Sequence, residues 1–387
     1  MSHINSVFRC PPRILCAVDA LDGLGAVMTG LGSTAVVIVC DPGIVTLGFA
    51  DRAIRSLTAA GCRVSVYSDV SADPPTTVVE AAVAAARAFG ADGIVGLGGG
   101  SSLDTAKLVA LMVPNDQPLA AMYGHDLAKG KRLPLVQVPT TAGTGSEVTW
   151  VSVVTDEAQQ KKAIYAPQLL PDVALLDPTL TVGLPPKVTA ATGLDAMVHA
   201  IEAYTSRTRK NPIADGLATS ALRLLAGNIR TVVTDGSNLA ARAAMLQGSL
   251  MAGMAFVNAS VAAIHALAYP LGARYHIPHG HSNALVMAQV IRFNLPAALP
   301  LYAELAECLL PGQQFGTPEL AAEAFVAEIE ALVPATGLET RLSALGVDEA
   351  AIPSMAEEVV VGIRRLIDCN PRDMTQADVE AIYRSIF

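Results

Sequence analysis

Two kinds of hydrophobic pattern divide this chain. In the first half, short unbroken apolar runs end in glycine-, proline- or aspartate-rich turns. Residues 35–40, Ala-Val-Val-Ile-Val-Cys, are one such run. Their β-branched content and lack of alternation predict a strand buried on both faces, as in a parallel sheet. Residues 49–60 carry a helical pattern, and residues 63–67 a second strand. Pro74 and Pro75 precede an alanine-rich helix over about 76–89 that stops near Gly90, and residues 93–97 read as a third strand. Strand, helix, strand, helix, strand is the doubly wound order. Further strands are expected at 134–138, at Val151–Thr155, which alternates, and at Val173–Leu176, which runs into Asp177-Pro178. From about 187 onward only helical patterns remain, apart from loops expected around 269–280 and 311–318. The pattern therefore predicts an α/β domain with a parallel, Rossmann-like sheet over residues 1–185 and an all-helical domain over 186–387.

Length and composition agree with that division. A chain of 387 residues is long for one compact core. With 52% hydrophobic and 16% charged residues, no large disordered region is expected. The net charge is -9 and no Lys/Arg block stands out, which argues against a nucleic-acid partner. Six scattered cysteines without paired spacing read as reduced, consistent with a cytoplasmic protein. No basic segment followed by an apolar run opens the chain, so no signal peptide is expected. From Ala243 to Ala273 there is no Asp, Glu, Lys or Arg, and the run is long enough to span a bilayer. Gln247, Asn258 and His265 interrupt it, and a membrane would charge heavily for them. Buried helices of a core are the better reading.

Three stretches carry chemistry. The third strand feeds Gly98-Gly99-Gly100-Ser101-Ser102-Leu103-Asp104-Thr105-Ala106-Lys107, a glycine turn opening onto a helix. Such a turn brings backbone N–H groups close to a phosphate, or it is simply a tight structural turn. Asp104 would repel a phosphate and is expected beyond the turn, fixing hydroxyls or backbone. The strand at 134–138 feeds a second loop, residues 139–149, with Thr140, Thr141, Thr144 and Ser146, suited to a pyrophosphate or an amide. Asp41, at the end of the first strand, either accepts from an adenosine ribose or opens a turn. In the helical half, Asp195 and His199 stand four apart on one helix face. His265 and His279, with His276 and His281 as neighbours, complete a candidate set of three imidazoles and one carboxylate, suited to Zn²⁺ or Fe²⁺. Taken alone, His265 reads better as a satisfied core histidine; the Asp195/His199 pair shifts the weight toward a metal.

Together these stretches closely resemble the iron-containing (group III) alcohol dehydrogenase family, over nearly the whole chain. The signatures are residues 98–107, 139–149, 191–204 and 265–280. The resemblance implies a dehydroquinate synthase-like fold, with an NAD(P)-binding domain, a helical domain, and Fe²⁺ or Zn²⁺ between them. By that likeness the metal ligands are Asp195, His199, His265 and His279. Asp41 matches an acid favouring NAD over NADP, and Gly98, Gly99, Gly100 and Ser101 match the pyrophosphate loop. Asp104, Thr140, Thr141, Thr144 and Lys161 line the cofactor side. The implied activity is reversible hydride transfer between an alcohol and NAD, with an aldehyde or ketone as product and a homodimer or larger homo-oligomer as assembly. Alternatives are a hydroxyacid or glycerol-type polyol dehydrogenase on the same scaffold, or a non-catalytic NAD-binding protein. Three departures stand out. Tyr269 occupies a position where many members carry a relay histidine, and its phenol is a poor base near neutrality. Trp150 and Val151 imply an apolar substrate pocket. Residues 15–19 replace the usual Phe-Gly-x-Gly-Ala element.

Overall fold

A computed structural model describes residues 7–158 and 160–387; the expectation for residues 1–6 lies outside them. The chain forms two compact units, one of residues 9–183 and one of residues 184–387 with the start of the chain.

The first unit is built on a six-stranded sheet of β1 (Arg13–Cys16), β2 (Ala35–Val39), β3 (Arg63–Tyr67), β4 (Gly93–Gly98), β6 (Leu135–Pro139) and β9 (Val173–Leu176). Its order is β1-β9-β6-β4-β2-β3, and every pairing is parallel. Two cores form because side chains alternate across the sheet. Val36 and Ile38 join Val95, Leu97, Val136 and Val138 beneath α1 (Leu24–Gly30) and α3 (Phe49–Ala59). Val37 and Val39 face the other way, with Ile94 and Leu135, toward α4 (Thr76–Phe89) and α5 (Gly100–Met112). A short helix, α2 (Pro42–Thr46), follows β2. Strands β5 (Gly124–His125), β7 (Val151–Thr155) and β8 (Lys161–Tyr165) form a separate small sheet. This is the doubly wound pattern expected from the apolar runs.

The second unit is helical: α6 (Pro186–Thr205), α7 (Pro212–Thr234), α8 (Leu239–Asn258), α9 (Ala263–Tyr275), α10 (His279–Leu309), α11 (Pro318–Ala335) and shorter C-terminal helices. The charge-free run divides between α8 and α9, which bend by 104° at their break. Most of their side chains are buried. The break is stabilised by side chains: Arg209 Nε donates to the Ala259 carbonyl, and Asn211 Nδ2 to that of Asn258.

Several elements differ from expectation. β1, β5 and β8 were not anticipated, nor were α1 and α2. β1 has four residues, too few to show a period, and is a strand because every residue pairs with β9. β8 opens on Lys161 and Lys162 and is held by its antiparallel partner β7. The loop expected from Tyr269 is helical to Tyr275, with Pro270 inside α9. Proline removes one helical hydrogen bond. Burial of this turn, and the Tyr383 hydroxyl donating to the Leu267 carbonyl at 2.6 Å, keep the helix continuous.

Candidate functional site

In the helical unit, α6 is the central support. Pro186 fixes its first turn, and nearly every side chain from Thr189 to Thr205 is buried. Asp195, His199 and Glu202 fall at i, i+4 and i+7, one stripe on one face. His265 lies in the first turn of α9, and His279 is the first residue of α10. The approach of α10 to α6 depends on Gly280, where a Cβ would strike the Ala191 carbonyl oxygen. Asp195 Oδ1 stands 3.7 Å from His279 Nε2 and 4.0 Å from His265 Nε2. His265 Nε2 stands 3.1 Å from His199 Nε2, whose ring stacks on Phe256. The structure thus brings all four predicted ligands together. Tyr269, one turn beyond His265, has its ring 6.1 Å from that of His279. His276 ends α9 in a left-handed conformation, and His281 donates to the Glu339 carbonyl, so neither joins the cluster.

Burial works to raise the Asp195 carboxyl. The facing imidazoles of His199, His279 and His265 and the Asn283 amide outweigh it, and hold the group below the usual carboxylate range. The donor set fits a divalent ion. Two ligands about 2.0–2.1 Å from a tetrahedral centre lie about 3.3–3.4 Å apart; the three pairs above stand at 3.1–4.0 Å, and the Asp195, His265 and His279 atoms all lie within 4.8 Å of one another. His265 Nδ1 meets Glu202 Oε2 at 2.6 Å, a contact that favours the Nδ1–H tautomer and leaves Nε2 turned toward the cluster. Sequence reasoning missed two members of the neighbourhood. Asn283 Nδ2 donates to Asp195 Oδ1 at 2.6 Å and lies within 3.4 Å of His265 and His279, while its Oδ1 is buried without a hydrogen-bond partner. Glu202 is the other. Both were legible only as helical spacings, Asn283 four after His279 and Glu202 three after His199.

In the α/β unit, the two predicted turns meet at adjacent strand ends. The Thr140 N–H donates to the Gly98 carbonyl. Gly98 has φ +147°, and a Cβ there would lie 2.7 Å from Ser102 Oγ. α5 starts at Gly100, so the first N–H groups, with Ser101 among them, have no partner inside the helix. A Cβ on Gly99 would touch Thr141, and one on Gly100 would press on Thr144 at 2.9 Å. Asp41 divides its carboxylate: Oδ1 caps α2 through Gly43 and Ile44, and Oδ2 accepts from Ser102 Oγ at 3.2 Å. Asp104 accepts from Ser146 Oγ at 2.5 Å and from the Val153 N–H at 2.9 Å. Lys161 forms an ion pair with Asp73. The Trp150 ring is buried edge-on against Tyr165, with Arg9 over it. A residue passed over in the sequence ties the turns together: fully buried Lys107 reaches Asp104, Ser146 Oγ, Thr149 Oγ1 and the Val151 carbonyl within 3.2 Å. Burial lowers its affinity for a proton, and Asp104 opposes that.

Residues 11–178 match the iron-containing alcohol dehydrogenase family, and residues 189–387 match the C-terminal domain of the same family. The chain belongs to the iron-containing alcohol dehydrogenases. It is 40% identical to long-chain-alcohol dehydrogenase 1 of Geobacillus thermodenitrificans, over 100% of this chain and 98% of the relative. A crystal structure of 1,3-propanediol oxidoreductase superposes with a TM-score of 0.95 at 36% identity, covering 99% of this chain and 100% of that one. Sulfoacetaldehyde reductase from Bifidobacterium kashiwanohense, solved with NAD⁺, gives 0.89 at 30% identity, over 99% of each chain. This dehydrogenase is accordingly a metal-dependent oxidoreductase acting on the CH–OH group of alcohols or polyols.

Proposed function

We propose that the enzyme couples reversible oxidation of a small alcohol, to an aldehyde or ketone, with reduction of NAD⁺, using Fe²⁺ held by Asp195, His199, His265 and His279, with Zn²⁺ as the alternative ion. The observation that carries this reading is the convergence of Asp195, His265 and His279 ligand atoms within 4.8 Å of one another. A divalent ion there supplies Lewis acidity that lowers the proton affinity of an alcohol oxygen. The chain's own residues do the rest. Asp195 stays ionised and supplies the negative charge of the cage. Asn283 fixes its Oδ1. His265 offers Nε2 because its other nitrogen is engaged by Glu202. Tyr269 is a candidate pocket residue whose hydroxyl can pass a hydrogen bond. On the cofactor side, the N–H groups of the first α5 turn suit a pyrophosphate. Gly98, Gly99, Gly100, Ser101, Thr140, Thr141 and Thr144 form the cradle and Asp104 braces it from within; Lys161 joins the reading through the family likeness alone, and its ammonium here pairs with Asp73. Asp41 Oδ2, which accepts from Ser102 Oγ, would accept from a ribose hydroxyl as well, a role that would favour NAD over NADP. The proposed domain division, residues 1–185 and 186–387, lies within two residues of the break between the compact units at 183/184, and six free cysteines suit a cytoplasmic setting. A homodimer or larger assembly is part of the same reading.

Relatives named for 1,3-propanediol support a second reading, in which the alcohol is a short diol. Anaerobic purification, metal analysis and rates on a panel of long-chain alcohols, diols and hydroxyacids with NAD⁺ test both. The expected result is turnover that follows metal content. Full turnover by metal-free enzyme sinks the proposal, and a strict need for a second hydroxyl selects the diol.

A further inference from the structure

We infer that Glu202 is a positioning residue of the metal cage, fixing both the tautomer of His265 and the place of the helix turn that carries it. The inference rests on the metal reading above. Glu202 is buried, 3% exposed, in a stretch of α6 whose other side chains are apolar or belong to the cage. A carboxylate in such a place is costly unless its oxygens are engaged. They are engaged by one short segment. Oε2 accepts from the Ala262 N–H at 2.8 Å and faces His265 Nδ1 at 2.6 Å, while Oε1 accepts from the Ile264 N–H at 2.6 Å.

Two consequences follow. Ala262, at the N-cap of α9, offers no side-chain cap of its own, and two N–H groups of that helix end, those of Ala262 and Ile264, are satisfied instead by an acid from α6. The carboxylate also favours the positive end of the helix dipole. The same carboxylate compels His265 to carry its proton on Nδ1, which turns the Nε2 lone pair toward Asp195 and His199. Asp195, His199 and Glu202 occupy one stripe of α6, so that helix supplies two ligands and orients a third. Carboxylate-to-imidazole contacts behind a ligand raise its basicity, and their loss typically weakens metal affinity by 10–100-fold.

The experiment uses the full-length protein and Co²⁺ as probe, in competition with a chelator. Wild type, Glu202→Gln and Glu202→Asp are compared for Co²⁺ affinity and for the Co²⁺ absorption spectrum. The ¹⁵N-histidine signals of metal-free wild type give the His265 tautomer. Expected are an Nδ1–H tautomer in wild type, an affinity about 10–100-fold lower with displaced bands in Glu202→Gln, and partial recovery in Glu202→Asp. A Glu202→Gln protein with wild-type affinity and spectrum overturns the inference and leaves the metal site standing. An Nε2–H tautomer in wild type also overturns it, and that measurement decides the matter if Glu202→Gln does not fold. Wild type that binds neither Co²⁺ nor Fe²⁺ overturns the metal reading, and this inference with it.

Discussion

The strand-end turns of residues 9–183 and the histidine cage of residues 184–387 present ligands by opposite means. In the turns proposed to hold the cofactor, the groups on offer are mostly backbone: N–H groups of the first α5 turn and a glycine at φ +147°. Buried side chains such as Lys107 and Asp104 stand behind them and brace the loops. In the cage the ligand-facing groups are side chains from α6, α9 and α10, and the bracing comes from Glu202 and Asn283. A backbone cradle tolerates side-chain exchange but not a new Cβ. A side-chain cage tolerates neither loss of a ligand nor a shift in its helices.

The largest expected effect separates the two regions outright. His265→Ala removes one of the four proposed ligands and leaves the Glu202 carboxylate without the imidazole it faces. Metal retention should fall by more than the ~100-fold typical of losing an outer partner, and turnover with it. NAD⁺ binding, measured by calorimetry, should stay at the wild-type value. Joint loss of both would show that the two regions do not bind independently.

Lys107→Met is the counterpart in the α/β unit. It takes the ammonium from four partners in a dry environment and leaves Asp104 facing that space. Removing one side of a buried, hydrogen-bonded ion pair costs about 3–5 kcal/mol. Urea unfolding should report that loss, with weaker NAD⁺ affinity and an unchanged metal content in protein that remains folded. A loss below about 1 kcal/mol would mean that the loops are held by backbone alone.

The two regions also differed in how much the sequence disclosed. The cradle is local: glycine turns directly follow apolar runs, and the doubly wound pattern follows from their succession, though the strand order, with β9 between β1 and β6, does not. Asp195 and His199 were legible from a helical spacing within one element. His265 and His279 were candidates by residue type, and the family likeness singled them out from His276 and His281, because spacing cannot show that α9 and α10 fold back on α6. Glu202 and Lys107 escaped for the same reason. Each is a charged residue in an apolar helix, and its purpose lies in partners 39 to 63 residues away. Pro270 misled because a local stop signal was overridden by burial of the whole turn.

Glu147 gives a pH-dependent contrast. Burial pushes its carboxyl from an ordinary value of 4.5 up to about 7, against the opposing pull of its own backbone and Lys107. Below pH 4.5 it is protonated in both folded and unfolded chains and costs nothing. Between 4.5 and about 7 the unfolded chain ionises first, so stability declines as pH rises; above that the penalty is constant. Glu147→Gln should remove this decline. Its advantage over wild type should grow from near zero at pH 4.5 to at most roughly 3 kcal/mol at neutrality. Chemical denaturation across that range checks it, and a difference independent of pH would refute it.

The finest test puts the same methyl group into both regions. Gly98→Ala meets a left-handed backbone and a Cβ 2.7–2.8 Å from the Ser102 side chain. The strain, about 1–3 kcal/mol, falls on the turn beneath the pyrophosphate site, so NAD⁺ affinity should drop about 10-fold or more while metal content holds. Gly280→Ala has an ordinary helical backbone. Its Cβ meets the Ala191 carbonyl, a rigid part of α6 that cannot rotate away. Relief comes only by moving the start of α10, and overpacking of this kind costs about 1–3 kcal/mol. His279 moves with it, away from Asp195, so metal affinity should fall while NAD⁺ affinity holds. The two variants should therefore be similar in lost stability and opposite in the ligand they lose. If Gly280→Ala retains its metal, α10 has slack that the close approach to α6 does not show, and His279 is held by something other than that packing.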